Sequence, residues 1–158
     1  NFSLTRLKAL IANAKHKPQV NQVEMHPYLA QPELVSFCRE QKIVLTAYAP
    51  LGSAGRPDHL RTTDEPVLLN DPTIVQIAAD HGATPAQVLL QWGIARGTVV
   101  IPKSVKPNRI AENFGAINLK MDSSTLAKID QLNRNRRYFD GGFWNFPEAG
   151  YTVQTLWD

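Results

Sequence analysis

Apolar and polar positions recur with two different periods along this chain, and each switch of period marks an element. After Ser3, the residues Leu4, Leu7, Leu10, Ile11 and Ala14 fall on one face of a helix, and Lys15-His16-Lys17-Pro18 ends the run. Residues 19–25 change to near alternation, with Val20 and Val23 set among Asn21, Gln22 and Glu24, until His26-Pro27 closes a short predicted strand. Gln31-Pro32-Glu33-Leu34 then puts a proline in a first helical turn, and Leu34, Val35, Phe37 and Cys38 give that helix an apolar face to about Gln41. Ile43-Val44-Leu45-Thr46-Ala47-Tyr48 is a nearly unbroken apolar run, the pattern of a strand buried on both faces, and Pro50 and Gly52 terminate it.

Residues 49–70 have no period. They carry Gly52, Gly55, Pro57 and Pro66 among charged side chains, and a loop of this length in a compact domain is commonly a lid or a binding loop. Asp71-Pro72 opens a helix through Ile74, Ile77 and Ala78, and beyond Gly82 the run Thr84-Pro85-Ala86-Gln87 opens another through Val88, Leu89 and Trp92. Thr98-Val99-Val100-Ile101 is a third strand, cut off by Pro102, and a helix from Lys106-Pro107 through Asn113 follows at once. Asp122-Ser123-Ser124-Thr125 opens a last helix through Leu126, Ile129 and Leu132, after which residues 136–158 form an aromatic, irregular C-terminal arm. This order of strands and helices is that of a parallel α/β sheet. Three parallel strands leave two unpaired edges, so the chain is expected to be part of a larger arrangement.

Length and composition narrow the class. At roughly 150 residues per domain, the 158 residues are expected to form a single domain, and 43% hydrophobic with 20% charged residues argues against both a disordered chain and a membrane protein. The apolar runs stop far short of the roughly 18 residues a spanning helix needs. Seventeen Lys and Arg against fourteen Asp and Glu leave a charge of +3, too small and too evenly spread for a nucleic-acid surface, though a local phosphate site remains open. The one cysteine, Cys38, excludes an internal disulfide and fits a reducing compartment, so the cytoplasm is expected. Asn1-Phe2-Ser3 is neither an initiator methionine nor a secretory opening, as in a fragment. The same residues spell a glycosylation triplet, which carries no weight without a signal peptide. The four His and one Cys lack ligand spacing, and no metal is expected.

Candidate chemistry gathers at strand ends. Lys103, Ser104 and a helix start carrying Arg109 would bring amides, a hydroxyl and two cations together, either as an anion site or as a solvated helix start. Tyr48 ends a strand, either as a core ring with a wet hydroxyl or as a flat surface for stacking. Phe139, Phe143, Trp144, Phe146, Tyr151 and Trp157 either pack the arm on the core or line an apolar pocket. Cys38 sits on an apolar helix face as an inert thiol. Arg134, Arg136 and Arg137 suit the dipole at the last helix's end and are expected to be solvated.

Five ordered segments resemble the C-terminal half of the aldo-keto reductases, and in particular their aldose and aldehyde reductase type. They are Asn1-Phe2, which resembles the end of a Gly-x-Ser-Asn-Phe segment; Asn21-Gln22-Val23-Glu24-Met25-His26-Pro27-Tyr28; Ala47-Tyr48-Ala49-Pro50-Leu51-Gly52-Ser53; Thr84-Pro85-Ala86-Gln87-Val88-Leu89-Leu90-Gln91-Trp92; and Ile101-Pro102-Lys103-Ser104-Val105 running into Arg109-Ile110-Ala111-Glu112-Asn113-Phe114. The resemblance implies an NADPH-dependent oxidoreductase on an eight-stranded (β/α)8 barrel of TIM type, of which this chain would hold about three parallel strands with flanking helices. It implies that Lys103, Ser104 and Arg109 hold the 2′-phosphate that separates NADPH from NADH, and that Glu112 and Asn113 meet the adenine. By the same resemblance Tyr48 stacks on the nicotinamide, Asn1 and Gln22 hold its carboxamide, and the segment carrying Leu51 and Ser53 folds over the pyrophosphate. Ala49 stands where the family usually has Ser, which removes one hydroxyl.

Family members pass hydride from nicotinamide to a carbonyl carbon of a small aldehyde or ketone while a Tyr supplies the proton. The family's catalytic Asp, Tyr, Lys and His lie upstream of the segment matched by Asn1, so no catalytic residue is assigned here. His26 is not joined with Tyr48 and Lys103 into an acid set and is expected to be a strand-end residue bonded to backbone. Phe143 and Trp144 are the candidate substrate-pocket walls. A barrel of this kind typically needs about 250 residues, so this chain alone is expected neither to close one nor to reduce a carbonyl. The parent is expected to be a monomer. Two alternatives stay open, namely a non-catalytic nucleotide-binding or scaffold relative and a half-barrel that pairs with itself.

Overall fold

The computed structural model describes residues 1–53, 55–62 and 64–157; Ala54 and Thr63 of the long loop and Asp158 of the arm lie outside the described residues. Strands β1 (Val20–Glu24), β2 (Val44–Tyr48) and β3 (Val99–Val100) form one parallel sheet in the order β1-β2-β3. Val20 pairs with Val44 and Thr46 with Val99. β3 is shorter than the expected 98–101 because Pro102 has no N–H to continue the ladder, although Ile101 N still donates to Ala47 O at 3.3 Å.

Around the sheet run α1 (Leu4–Asn13), α2 (Pro32–Glu40), α3 (Pro72–Asp80), α4 (Pro85–Ala95), α5 (Pro107–Gly115), α6 (Ser123–Asp130) and the short α7 (Val153–Leu156). Their starts follow the capping residues: Ser3 accepts from Arg6 N, Asp71 from Thr73 N and Ile74 N, and Thr84 with Gln87 completes a reciprocal box. Gly93 lets α4 ride directly on the sheet, since a Cβ there would come within 2.7 Å of Val100 Cγ1.

Side chains on the two faces of the sheet meet different surroundings. Asn21, Val23, Leu45 and Ala47 are buried beneath the helices, whereas Val20, Val44 and Val99 on the opposite face are 55%, 46% and 49% exposed. The expectation that β2 is buried on both faces is therefore corrected. Its apolar composition is that of a two-sided strand, but among the described residues helices cover only one side. The result is an unclosed α/β sheet, as expected of part of a β/α barrel.

The long loop is more ordered than its lack of period suggests. It contains 3-10 turns at Asp58–Leu60 and Leu68–Asn70, and the buried Arg56 gathers it. Arg56 Nε donates to Leu60 O at 3.0 Å, Nη1 donates to Ser53 O at 3.3 Å, and the guanidinium pairs with Glu65. The arm is likewise not irregular throughout, with 3-10 turns at Gly142–Trp144 and Pro147–Ala149 ahead of α7.

The last long helix, α6, ends at Asp130, so Leu132 and the arginines beyond it do not belong to its dipole. Arg134 lies over the Tyr28 ring at 4.2 Å and 3.7 Å from Asp71, and the backbone N–H groups of Arg134 and Arg136 both donate to Tyr28 O. Arg137 covers the Trp157 ring at 4.0 Å. Arg134 is thus half in solvent as expected, whereas Arg136, whose guanidinium donates to Thr62 Oγ1 at 3.1 Å, and Arg137 are only partly exposed and rest on tertiary partners. No helix of the described residues is long and apolar enough to cross a membrane.

Candidate functional site

The C-terminal ends of β2 and β3 open onto a cavity of about 710 Å3. Its walls come from the segment after β2, the segment joining β3 to α5, the start of α4 and the first turns of α5. Among the predicted residues, Leu51, Ser53, Lys103, Ser104, Arg109, Glu112 and Asn113 all line it. Ala49 and Ser53 hold φ of 51° and 50°, left-handed values that turn the chain off the strand and along the cavity floor.

The electrostatics of the α5 end of this cavity are one-sided. Ser104 Oγ accepts from Lys106 N at 3.1 Å and tightens the turn before the helix, and no side chain caps the N-terminus of α5. Lys103, Lys106 and Arg109 surround that positive end, and no carboxylate among the described residues pairs with any of them. Three residues after Arg109 on the same helix, Glu112 is held from α4, where Thr84 Oγ1 donates to Glu112 Oε1 at 2.8 Å and Gln87 Nε2 donates to Glu112 O at 3.1 Å. The capping residues of α4 thereby fix the one acid among the described residues that line the cavity. Sequence reading did not single out Arg56 or Lys106, both lining residues. Their signal was slight, a lone cation in a loop and one more lysine at a helix start.

The remaining cofactor candidates form a second group beside the cavity and do not line it. The amino group of Asn1 donates to Gln22 O at 2.7 Å, and Asn21 exchanges two hydrogen bonds with the Phe2 backbone, at 3.2 and 2.9 Å. Tyr48 meets the Phe139 ring edge-on at 5.8 Å. Burial, and then the charge of Glu24, push the Tyr48 hydroxyl up to about 12, so it stays neutral. Phe143 and Trp144 pack on each other at 5.0 Å but are 53% and 57% exposed, away from the cavity.

His26 differs from expectation. Its ring is bonded to a side chain rather than to backbone, with Nε2 3.0 Å from Glu24 Oε1 and Nδ1 unpartnered. Both residues are fully buried. The Glu-x-His spacing, two residues apart and so on one side of an extended chain, was the available signal.

A parallel strand-helix unit with its cavity at the strand C-terminal ends is the β/α-barrel arrangement. Residues 1–134 match the Aldo/keto reductase family. An aldo/keto reductase of Synechocystis sp. is 51% identical over 158 residues, covering 100% of this chain and 48% of the relative. Aldo-keto reductase family 1 member A1-A of Danio rerio is 47% identical over 138 residues, and member A1 of Homo sapiens 40%, each covering 87% of this chain and 42% of the relative. The chain belongs to the aldo/keto reductase family, and its sheet is part of a (β/α)8 barrel. It spans about half the length of the curated relatives it matches.

Proposed function

We propose that this chain supplies the NADP(H) site of a carbonyl reductase acting on a small aldehyde or ketone. One observation carries the reading: Lys103, Lys106 and Arg109, without carboxylate partners among the described residues, converge with Ser104 and the uncapped start of α5 on one cavity. A phosphate monoester carries close to two negative charges and three acceptor oxygens, which complement that set, and NADH has no such group. The cavity volume of about 710 Å3 suits a ligand of dinucleotide class.

Glu112, held by Thr84 through one oxygen, keeps the other for an adenine amino group, and Asn113 lies beside it. Tyr48 would offer its face to the nicotinamide, with Asn1 and Gln22 at the carboxamide, and Leu51 and Ser53 would lie along the pyrophosphate. When bound, NADPH supplies the hydride. The chain's own residues bind and orient it, and the buried, unpaired Cys38 supports a reducing compartment such as the cytoplasm.

Tryptophan-fluorescence titration with NADPH, with NADH as control, tests the reading. Arg109→Ala is expected to weaken NADPH roughly ten- to hundredfold, the loss of one charge-assisted bond of about 1.5–3 kcal/mol, and to leave NADH unchanged. Equal affinity for the two nucleotides in the unaltered chain sinks the proposal. Adding an aldehyde to the same sample is expected to give no NADPH consumption, because no residue of this chain matches the family's proton donor.

A further inference from the structure

The C-terminal arm is fastened by a buried carboxylate that the nucleotide reading does not use. Glu24, the last residue of β1, is fully buried and accepts from Tyr138 N at 2.6 Å, from Phe139 N at 3.2 Å and from His26 Nε2 at 3.0 Å. A carboxylate only accepts, so His26 donates to Glu24 from Nε2, while its Nδ1 has no partner. A carboxylate without solvent is costly unless hydrogen-bonded, so three donors converging on it mark a strongly specified joint.

Both residues it holds touch the candidate site. The Phe139 ring meets Tyr48 edge-on, and Tyr138 packs on His26 at 4.9 Å. Arg56, a cavity-lining residue, covers the same two rings at 5.3 and 5.5 Å.

We propose that Glu24 is a positioning residue: by gripping the backbone of residues 138 and 139 it sets the Phe139 ring against Tyr48, and so fixes the surface on which the nicotinamide would rest. The inference rests on the nucleotide reading given above. Loss of the grip should therefore act on the nicotinamide end of the ligand and spare the phosphate end, which lies with Lys103 and Arg109.

The test compares NADPH with adenosine 2′,5′-bisphosphate, which carries the phosphates and adenine but no nicotinamide, while amide hydrogen exchange is followed in the same 158-residue chain. Glu24→Gln replaces one acceptor oxygen by an N–H donor facing an N–H donor. It is expected to speed exchange at Tyr138 and Phe139 about tenfold and to weaken NADPH about fivefold or more, with the bisphosphate unchanged. Phe139→Ala keeps the backbone grip and removes only the ring. It should show the same selective loss of NADPH with the two amides still protected, and Phe139→Tyr should restore binding even if Glu24→Gln unfolds.

Unchanged exchange at both amides in a folded Glu24→Gln chain overturns the grip. Faster exchange with an unchanged ratio of the two affinities, or an unchanged ratio in Phe139→Ala, overturns the positioning role. An unaltered chain that holds neither nucleotide overturns the proposed function and the positioning role with it, and the exchange data then still judge the grip separately.

Discussion

Thr84 uses one hydroxyl twice. Its oxygen accepts from Gln87 N at 3.3 Å as the cap of α4 and its proton goes to Glu112 Oε1 at 2.8 Å. A single substitution therefore couples helix stability to the acid of the cavity. Thr84→Val is expected to cost about 1 kcal/mol in thermal or urea unfolding. It should also weaken NADPH and adenosine 2′,5′-bisphosphate alike, because the proposed function puts the freed Glu112 at the adenine end. Thr84→Ser should recover both. Nucleotide affinities that stay put in Thr84→Val would separate Glu112 from the binding site.

Among the elements, α6 carries a clear dependence on pH. Its cap Asp122 accepts from Thr125 N at 2.7 Å and from Ser124 Oγ at 2.9 Å, and these bonds, that to the Thr125 backbone foremost, hold its carboxyl down to about 2 from an ordinary 3.8. A folded-state value below the unfolded one contributes stability that is complete above the ordinary value and is lost as pH falls toward 2. Urea unfolding at a series of acid pH values should thus show the gap between wild type and Asp122→Asn closing between about pH 4 and pH 2. A constant gap would mean the cap is not an ionised one.

Such helix starts were legible in the sequence because capping is local, and Asp71-Pro72, Thr84 to Gln87 and Asp122 each announce a helix within a residue or two. The run from Lys103 to Asn113 was legible for the same reason, being one strand end, one turn and one helix. Three features were not. The turns of the long loop hang on Arg56, whose partners Glu65 and Tyr138 no local pattern reveals. The bond from Tyr138 to Glu24 crosses 114 positions. The apolar run of β2 records composition and not what covers each face.

For the molecule as a whole, that last difference sets how mutations sort. Leu45 and Val44 are neighbours in one strand, yet Leu45 is 3% exposed and Val44 46%. Leu45→Ala is expected to cost about 2–5 kcal/mol. Val44→Lys should stay within about 0.5 kcal/mol in chemical denaturation. A cost for Val44→Lys comparable to that of Leu45→Ala would show that another surface covers this face in solution, and light scattering would tell whether it is a second copy. The mount of the arm has a different consequence. Glu24 grips main-chain N–H groups, which every residue but proline possesses, so the grip itself does not read the side chains at positions 138 and 139, which the buried Tyr138 ring and the Phe139 ring anchor separately. Sequence past that point can drift, lengthen or be exchanged wholesale while the attachment persists. The arm is in this sense an interchangeable part on a fixed socket, open to diversification by grafting without redesign of the barrel beneath it.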